Sequence, residues 1–140
     1  MAVDSKIETL STVALFTGCN KRELRSIAAQ CSRLHVEKGF VLTTQGTPGR
    51  ECFVIGEGEA TVSIDGQPVS KVGPSDCVGE MSLLDGGERT ATVIADGPMT
   101  LYSMSIAEFQ SLLTNHPTID RKIMAGLARR LRAAETGHVH

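Results

Sequence analysis

The 140-residue chain has no apolar run near the roughly 18 residues needed to cross a bilayer, and Asp4, Lys6 and Glu8 interrupt its start. The sequence therefore predicts neither a membrane span nor a signal peptide. It also lacks a cysteine framework: the cysteines at 19, 31, 52 and 77 form no Cys-x-x-Cys pair, and they read as reduced, small apolar residues of a cytoplasmic protein. There is no excess of basic charge. A formal net charge of -2 argues against a chain built to neutralise nucleic-acid phosphates, so neither nucleic acid nor a membrane is expected as a partner. Histidine is sparse and scattered, with His35 and His116 isolated and His138 and His140 at the very end, which leaves no ligand set for a catalytic metal. No histidine stands near Ser82 or a cysteine in sequence to activate it as a nucleophile. The chain is accordingly read as a non-enzyme with no catalytic residue, no metal and no cofactor.

What is present suits one domain, long enough to bury a core without metal or disulfide staples. Residues 1–31 read as helical. Ile7, Leu10, Val13 and Ala14 recur at helical spacing from about Asp4, and Asn20 with Glu23 forms a capping box ahead of Leu24, Ile27, Ala28 and Cys31. Leu15 and Phe16, between the two helices, are expected to plug the core.

From Arg33 the period becomes alternating. Leu34 and Val36, Val41, the run 52–55, Ala60 to Ile64, Val69 to Val72, Cys77-Val78, Thr90 to Ala95 and Met99 to Met104 make about eight short strands. Asp65-Gly66 is a two-residue hairpin signal. Strands this short and evenly spaced predict a closed antiparallel β-roll over 33–104, mainly β with flanking helices. Residues 105–135 return to helix: Ser105 with Glu108 caps one that Pro117 ends, and Ile119, Ile123, Met124, Leu127 and Leu131 trace the stripe of a last helix. Its basic residues, Arg121, Lys122, Arg129, Arg130 and Arg132, make a solvated face, a dimer or effector surface, or a nucleic-acid contact, in that order of preference. The residues after Pro117 supply a single helix and no helix-turn-helix reader, and Gly137 with the His-Val-His end is expected to fray.

The segment Gly79 to Val93 departs from this structural pattern. Gly79 admits a close approach to the backbone, residues 80–84 are long enough for one helical turn with free N–H groups, and Arg89 returns across the turn Asp85-Gly86-Gly87. A guanidinium clamps phosphate oxygens, whereas Glu80 only accepts hydrogen bonds and so suits a sugar hydroxyl. One phosphate and one ribose hydroxyl suggest a nucleotide. On local chemistry alone the alternative is equally open: turn glycines in a β protein, with Glu80 and Arg89 an ordinary surface ion pair.

Gly79, Glu80, Ser82, Leu83, Arg89, Ala91 and Thr92 resemble the phosphate-binding cassette of the cyclic-nucleotide-binding domain family, roughly Phe-Gly-Glu-x-Ala/Ser-Leu followed by Arg-x-Ala-Ser/Thr. Val78 stands where that family carries phenylalanine. Gly39-Phe40-Val41-Leu42, Gln45-Gly46 and Phe53-Val54-Ile55 with Gly58 extend the resemblance over roughly residues 15 to 132. It implies an eight-stranded roll of the double-stranded β-helix or jelly-roll type, as in catabolite activators and protein kinase A regulatory subunits, with a cassette at 79–92. It further implies ribose binding by Glu80, phosphate binding by Arg89, and backbone donors at Gly79, Met81 and Ser82. Val62 and Val69 are candidates for the base pocket and the last helix for its lid. Thr90 leaves cyclic GMP open beside the commoner cyclic AMP. The implied function is a regulatory module that relays the nucleotide through its C-terminal helices to an effector protein or a second copy; a roll that has lost its ligand and acts as an interaction domain is the alternative.

Overall fold

In the computed structural model, residues 2–80 and 87–138 are described. Helix α1 (Ala2–Ser11) begins about two residues before the expected start and buries Ile7 and Leu10. A short 3-10 turn, Ala14–Phe16, then drives Leu15 and Phe16 into the core, as their apolar character predicts. Helix α2 (Lys21–Gln30) opens on the capping box, with the Glu23 N–H donating to Asn20 Oδ1 and the Asn20 N–H to Glu23 Oε1, each at 2.8 Å. Its far end is closed from outside: Lys6 Nζ donates to the carbonyls of Ala28 and Cys31 at 3.0 Å, supplying partners that a helix C-terminus cannot provide for itself.

Eight strands follow: β1 (Ser32–Val36), β2 (Val41–Thr43), β3 (Glu51–Glu57), β4 (Ala60–Ile64), β5 (Gln67–Val72), β6 (Cys77–Val78), β7 (Thr92–Ala95) and β8 (Met99–Ser105). They form two antiparallel four-stranded sheets, ordered β1-β8-β3-β6 and β2-β7-β4-β5. The β4–β5 hairpin turns at Asp65 and Gly66 with φ of 53° and 80°, the double left-handed conformation for which Asp-Gly is suited. Strand β7 starts two residues later than expected, because the backbone of Arg89 is bonded elsewhere. Its N–H donates to the Thr47 carbonyl at 2.8 Å, and its carbonyl accepts from the Gly46 N–H at 2.9 Å.

Strand β3 explains why 52–55 reads as a continuous apolar run rather than an alternation. Cys52 and Val54 face the helices in one apolar cluster, with Leu10, Phe16, Ile27, Phe109 and Ile119; Phe53 and Ile55 face the inside of the roll in another, with Leu42, Ala60, Val93 and Leu101. Both faces are covered, so neither is polar.

Helix α3 (Ile106–Asn115) starts from the predicted capping box at Ser105 and Glu108. Pro117, expected as a terminator, also opens helix α4 (Pro117–His138), where its fixed φ suits the first turn. Two expectations for α4 need correcting. Gly137 lies within the helix, and the apolar stripe divides: Ile119 and Ile123 are fully buried and Leu127 packs beside them, while Met124 and Leu131 are 46% and 63% exposed. Met124 is rotated about 100° from Ile123, and Leu131 lies about two turns beyond Ile123, the last fully buried side chain of the helix among the described residues. Among the described residues no helix is long and apolar enough to cross a membrane.

Candidate functional site

The segment singled out in the sequence lies where β6 ends and the chain approaches β7. Gly79 has φ of +84°, in the left-handed region, and a side chain there would collide with Arg89 Nη1 and stand 3.1 Å from the Glu51 carbonyl. Only glycine meets both demands without strain. Through this gap Arg89 lays its guanidinium against the backbone: Nη2 donates to the Glu51 carbonyl at 2.7 Å and Nη1, more weakly, to the Gly79 carbonyl at 3.4 Å. The residue is 8% exposed. That burial rules out the surface ion pair that local chemistry alone had left open.

Arg89 is a buried cation that has neutral acceptors but makes no ion pair with a described carboxylate. Burial pulls its pKa down, and the charge of Glu51 works against that shift. A guanidinium does not give up its proton in a protein, so the desolvation cost persists until an anion offsets it. Two of its donors are taken by carbonyls, and among the described residues no other acceptor is bonded to it.

A cavity of about 170 Å³ adjoins the guanidinium. Of the residues expected at the site, Gly79, Glu80, Arg89 and Thr90 line it together. Met81 and Ser82, expected as backbone donors, lie outside the described residues, as does the predicted turn beyond Glu80. Val62 and Val69 are not brought in. Val62 is half-buried against the core between the sheets, and Val69 is 54% exposed on the edge strand β5.

Thr43, Cys77 and Glu88 also line the cavity and escaped the sequence reading. Thr43 is buried and its hydroxyl donates to the Ala91 carbonyl at 3.0 Å, fixing the chain just past Arg89. No local pattern marks it, because its place follows from the pairing of β2 with β7 across some fifty residues of sequence. Cys77 hydrogen-bonds Cys52, and this bond and burial both push its thiol well above the usual range. It is a protonated wall at neutral pH rather than a nucleophile. Among the described residues no group of three or more His, Cys, Asp or Glu is placed to hold a metal ion. The chemistry on offer is a buried cation for an anion, next to a carboxylate and a hydroxyl for a polyol or base.

A model of the cyclic nucleotide-binding domain matches residues 33–116, a span that includes both sheets, the cavity and α3. The chain belongs to the cyclic-nucleotide-binding domain family. Within that family it is similar to the CRP-like cAMP-activated global transcriptional regulator of Mycobacterium tuberculosis, 27% identical over 130 residues, which are 89% of this chain and 58% of the regulator. It is 34% identical over 118 residues to the acetyltransferase Pat of Mycolicibacterium smegmatis, covering 81% of this chain and 35% of that enzyme. The chain thus spans less than two thirds of either relative. Its fold superposes on the crystal structure of the N-terminal domain of a transcriptional regulator from Streptomyces coelicolor with a TM-score of 0.82 and 30% identity, covering 90% of this chain and 94% of that one.

Proposed function

We propose that this cyclic-nucleotide-binding domain is a sensor of cyclic AMP, with no catalysis of its own, acting in the cytoplasm. The observation that carries the reading is Arg89: a buried guanidinium held by the carbonyls of Glu51 and Gly79, with no ion pair to a described carboxylate, beside a cavity that Glu80 also lines. The cyclic phosphate takes the open donors of Arg89 and the amides of Met81 and Ser82, and the ribose hydroxyl donates to Glu80. Val62 and Val69 belong to the base end of the pocket only if the nucleotide reaches past the cavity seen here toward β4 and β5. A cavity of 170 Å³ is small beside the roughly 300–1,000 Å³ of ligand sites, so binding requires the cassette to open around the nucleotide.

The choice of cyclic AMP is favoured by the mycobacterial relative described as cAMP-activated. Thr90, exposed at the rim, keeps cyclic GMP as the second candidate, since its hydroxyl can accept from a guanine amino group. The output is a shift of α3 and α4 against the roll, read by an effector protein or by a second copy of the chain through α4. Thermal unfolding tests this: a nucleotide at a hundredfold excess over its dissociation constant adds about 2.7 kcal/mol of stability, whereas 5′-AMP adds much less. Val78, in place of an aromatic, supports the competing reading of a roll that has lost its ligand, and an unmoved melting temperature with both cyclic nucleotides decides in its favour.

A further inference from the structure

A cavity larger than the one at the cassette lies elsewhere among the described residues. It is an open pocket of about 600 Å³ between the start of α2 and the start of α4, lined by Asn20, Arg22, Glu23 and Ser26 on one side and His116, Thr118, Arg121 and Lys122 on the other. Its charges are unevenly satisfied. Lys122 Nζ is bonded to Glu23 Oε1 at 2.5 Å, and Glu23 also holds the Asn20 N–H and a side-chain hydrogen bond with Thr118, so that carboxylate is already engaged within the fold. Arg22 and Arg121, on opposite walls, have no side-chain hydrogen bond or ion pair among the described residues. Three cations thus face one carboxylate, an excess of positive charge in a chain whose net charge is -2.

We propose that this pocket is a second ligand site, separate from the cassette, that takes the phosphate groups of a small soluble molecule. Two arginine forks approaching from two helices suit a di- or triphosphate better than a single carboxylate, and Ser26, Asn20 and His116 supply further hydrogen-bonding groups around them. The volume is that of a small-molecule site. A nucleic-acid or lipid surface would require a longer run of cations than two arginines in a recess. Because one wall is α2 and the other is α4, a bound polyphosphate ties the last helix to the N-terminal helices, alongside the Glu23–Lys122 bond. The inference does not rest on cyclic-nucleotide binding.

The test is a calorimetric titration of the whole chain with pyrophosphate at fixed ionic strength. One saturable site is expected, weakened about tenfold by Arg22→Ala, about tenfold by Arg121→Ala, and unaffected by Arg89→Ala. Both arginines are exposed, so the fold survives their loss, and Ser26→Asp, which leaves them in place but adds a carboxylate to the pocket, weakens binding independently. Absence of saturation overturns the proposal. So does an affinity that falls with Arg89→Ala but not with the other variants, or binding to phosphatidylglycerol vesicles without binding to pyrophosphate.

Discussion

Two regions of this protein each bury one charge, and they treat it in opposite ways. At the junction of α2 and α4, Glu23 receives the Asn20 N–H, the Lys122 ammonium and the Thr118 side chain, and the lysine bond foremost lowers its pKa to about 2. At the cassette, Arg89 donates to two carbonyls and pairs with no described carboxylate. The first charge is completed by the fold, and serves to hold helices together. The second has no ion-pair partner among the described residues, and a buried charge in that position favours an anionic ligand.

The contrast is broken most sharply by substitution at its two centres. Arg89→Ala should cost about a hundredfold or more in affinity for the cyclic nucleotide, through loss of at least two charged hydrogen bonds. The free protein should nevertheless keep its stability within about 1 kcal/mol, because a buried cation without an ion pair goes with the side chain; urea unfolding without ligand checks this. If Arg89 is instead a structural anchor like Glu23, the free protein falls apart with it. Gly79→Ala comes next. The positive φ and the collision with Arg89 should destabilise the chain by about 1–3 kcal/mol and displace the guanidinium, so nucleotide affinity and urea midpoint fall together.

Smaller effects belong to the completed charge. Lys122→Met should lower stability by about 1–2 kcal/mol; the lysine is 36% exposed, so screening keeps the loss below that of a fully buried pair, and nucleotide affinity is the control that should not change through contact with the ligand. The pH dependence follows from the depressed carboxylate. Glu23 ordinarily titrates near 4.5 and in the fold near 2, so its contribution is complete above pH 4.5 and is lost as pH falls from there toward 2. Glu23→Gln should flatten that part of the stability curve, measured as urea midpoints at pH 5, 4 and 3. An unchanged slope would mean that other carboxylates carry the acid sensitivity.

The same contrast shows how much the sequence disclosed. Features set by a few neighbouring residues were legible: both capping boxes, the Asp65-Gly66 turn, the change from helical to alternating period near residue 33, and Gly79 beside Glu80. That Gly79, Glu80 and Arg89 share one place was legible too, since they fall within about a dozen residues, and they line one cavity. What depended on distant pairing was not. Thr43 reaches the site through the register of β2 on β7, and Val69 is left at an edge by the order of the second sheet. The burial of Arg89 was equally hidden, because the carbonyl that holds it belongs to Glu51, 38 residues earlier. The α4 stripe was read as continuous because spacing reports which residues share a face, not how far the body of the protein extends beneath it.

The central claim is that Arg89 is an unfinished charge awaiting a cyclic phosphate. Calorimetric titration of the unaltered chain and of Arg89→Ala with cyclic AMP tests it most directly. The account predicts one saturable site in the first, with cyclic GMP no tighter, and none measurable in the second at the same concentrations. An equal affinity in the two proteins, or no saturable binding of either nucleotide to the unaltered chain, would contradict it.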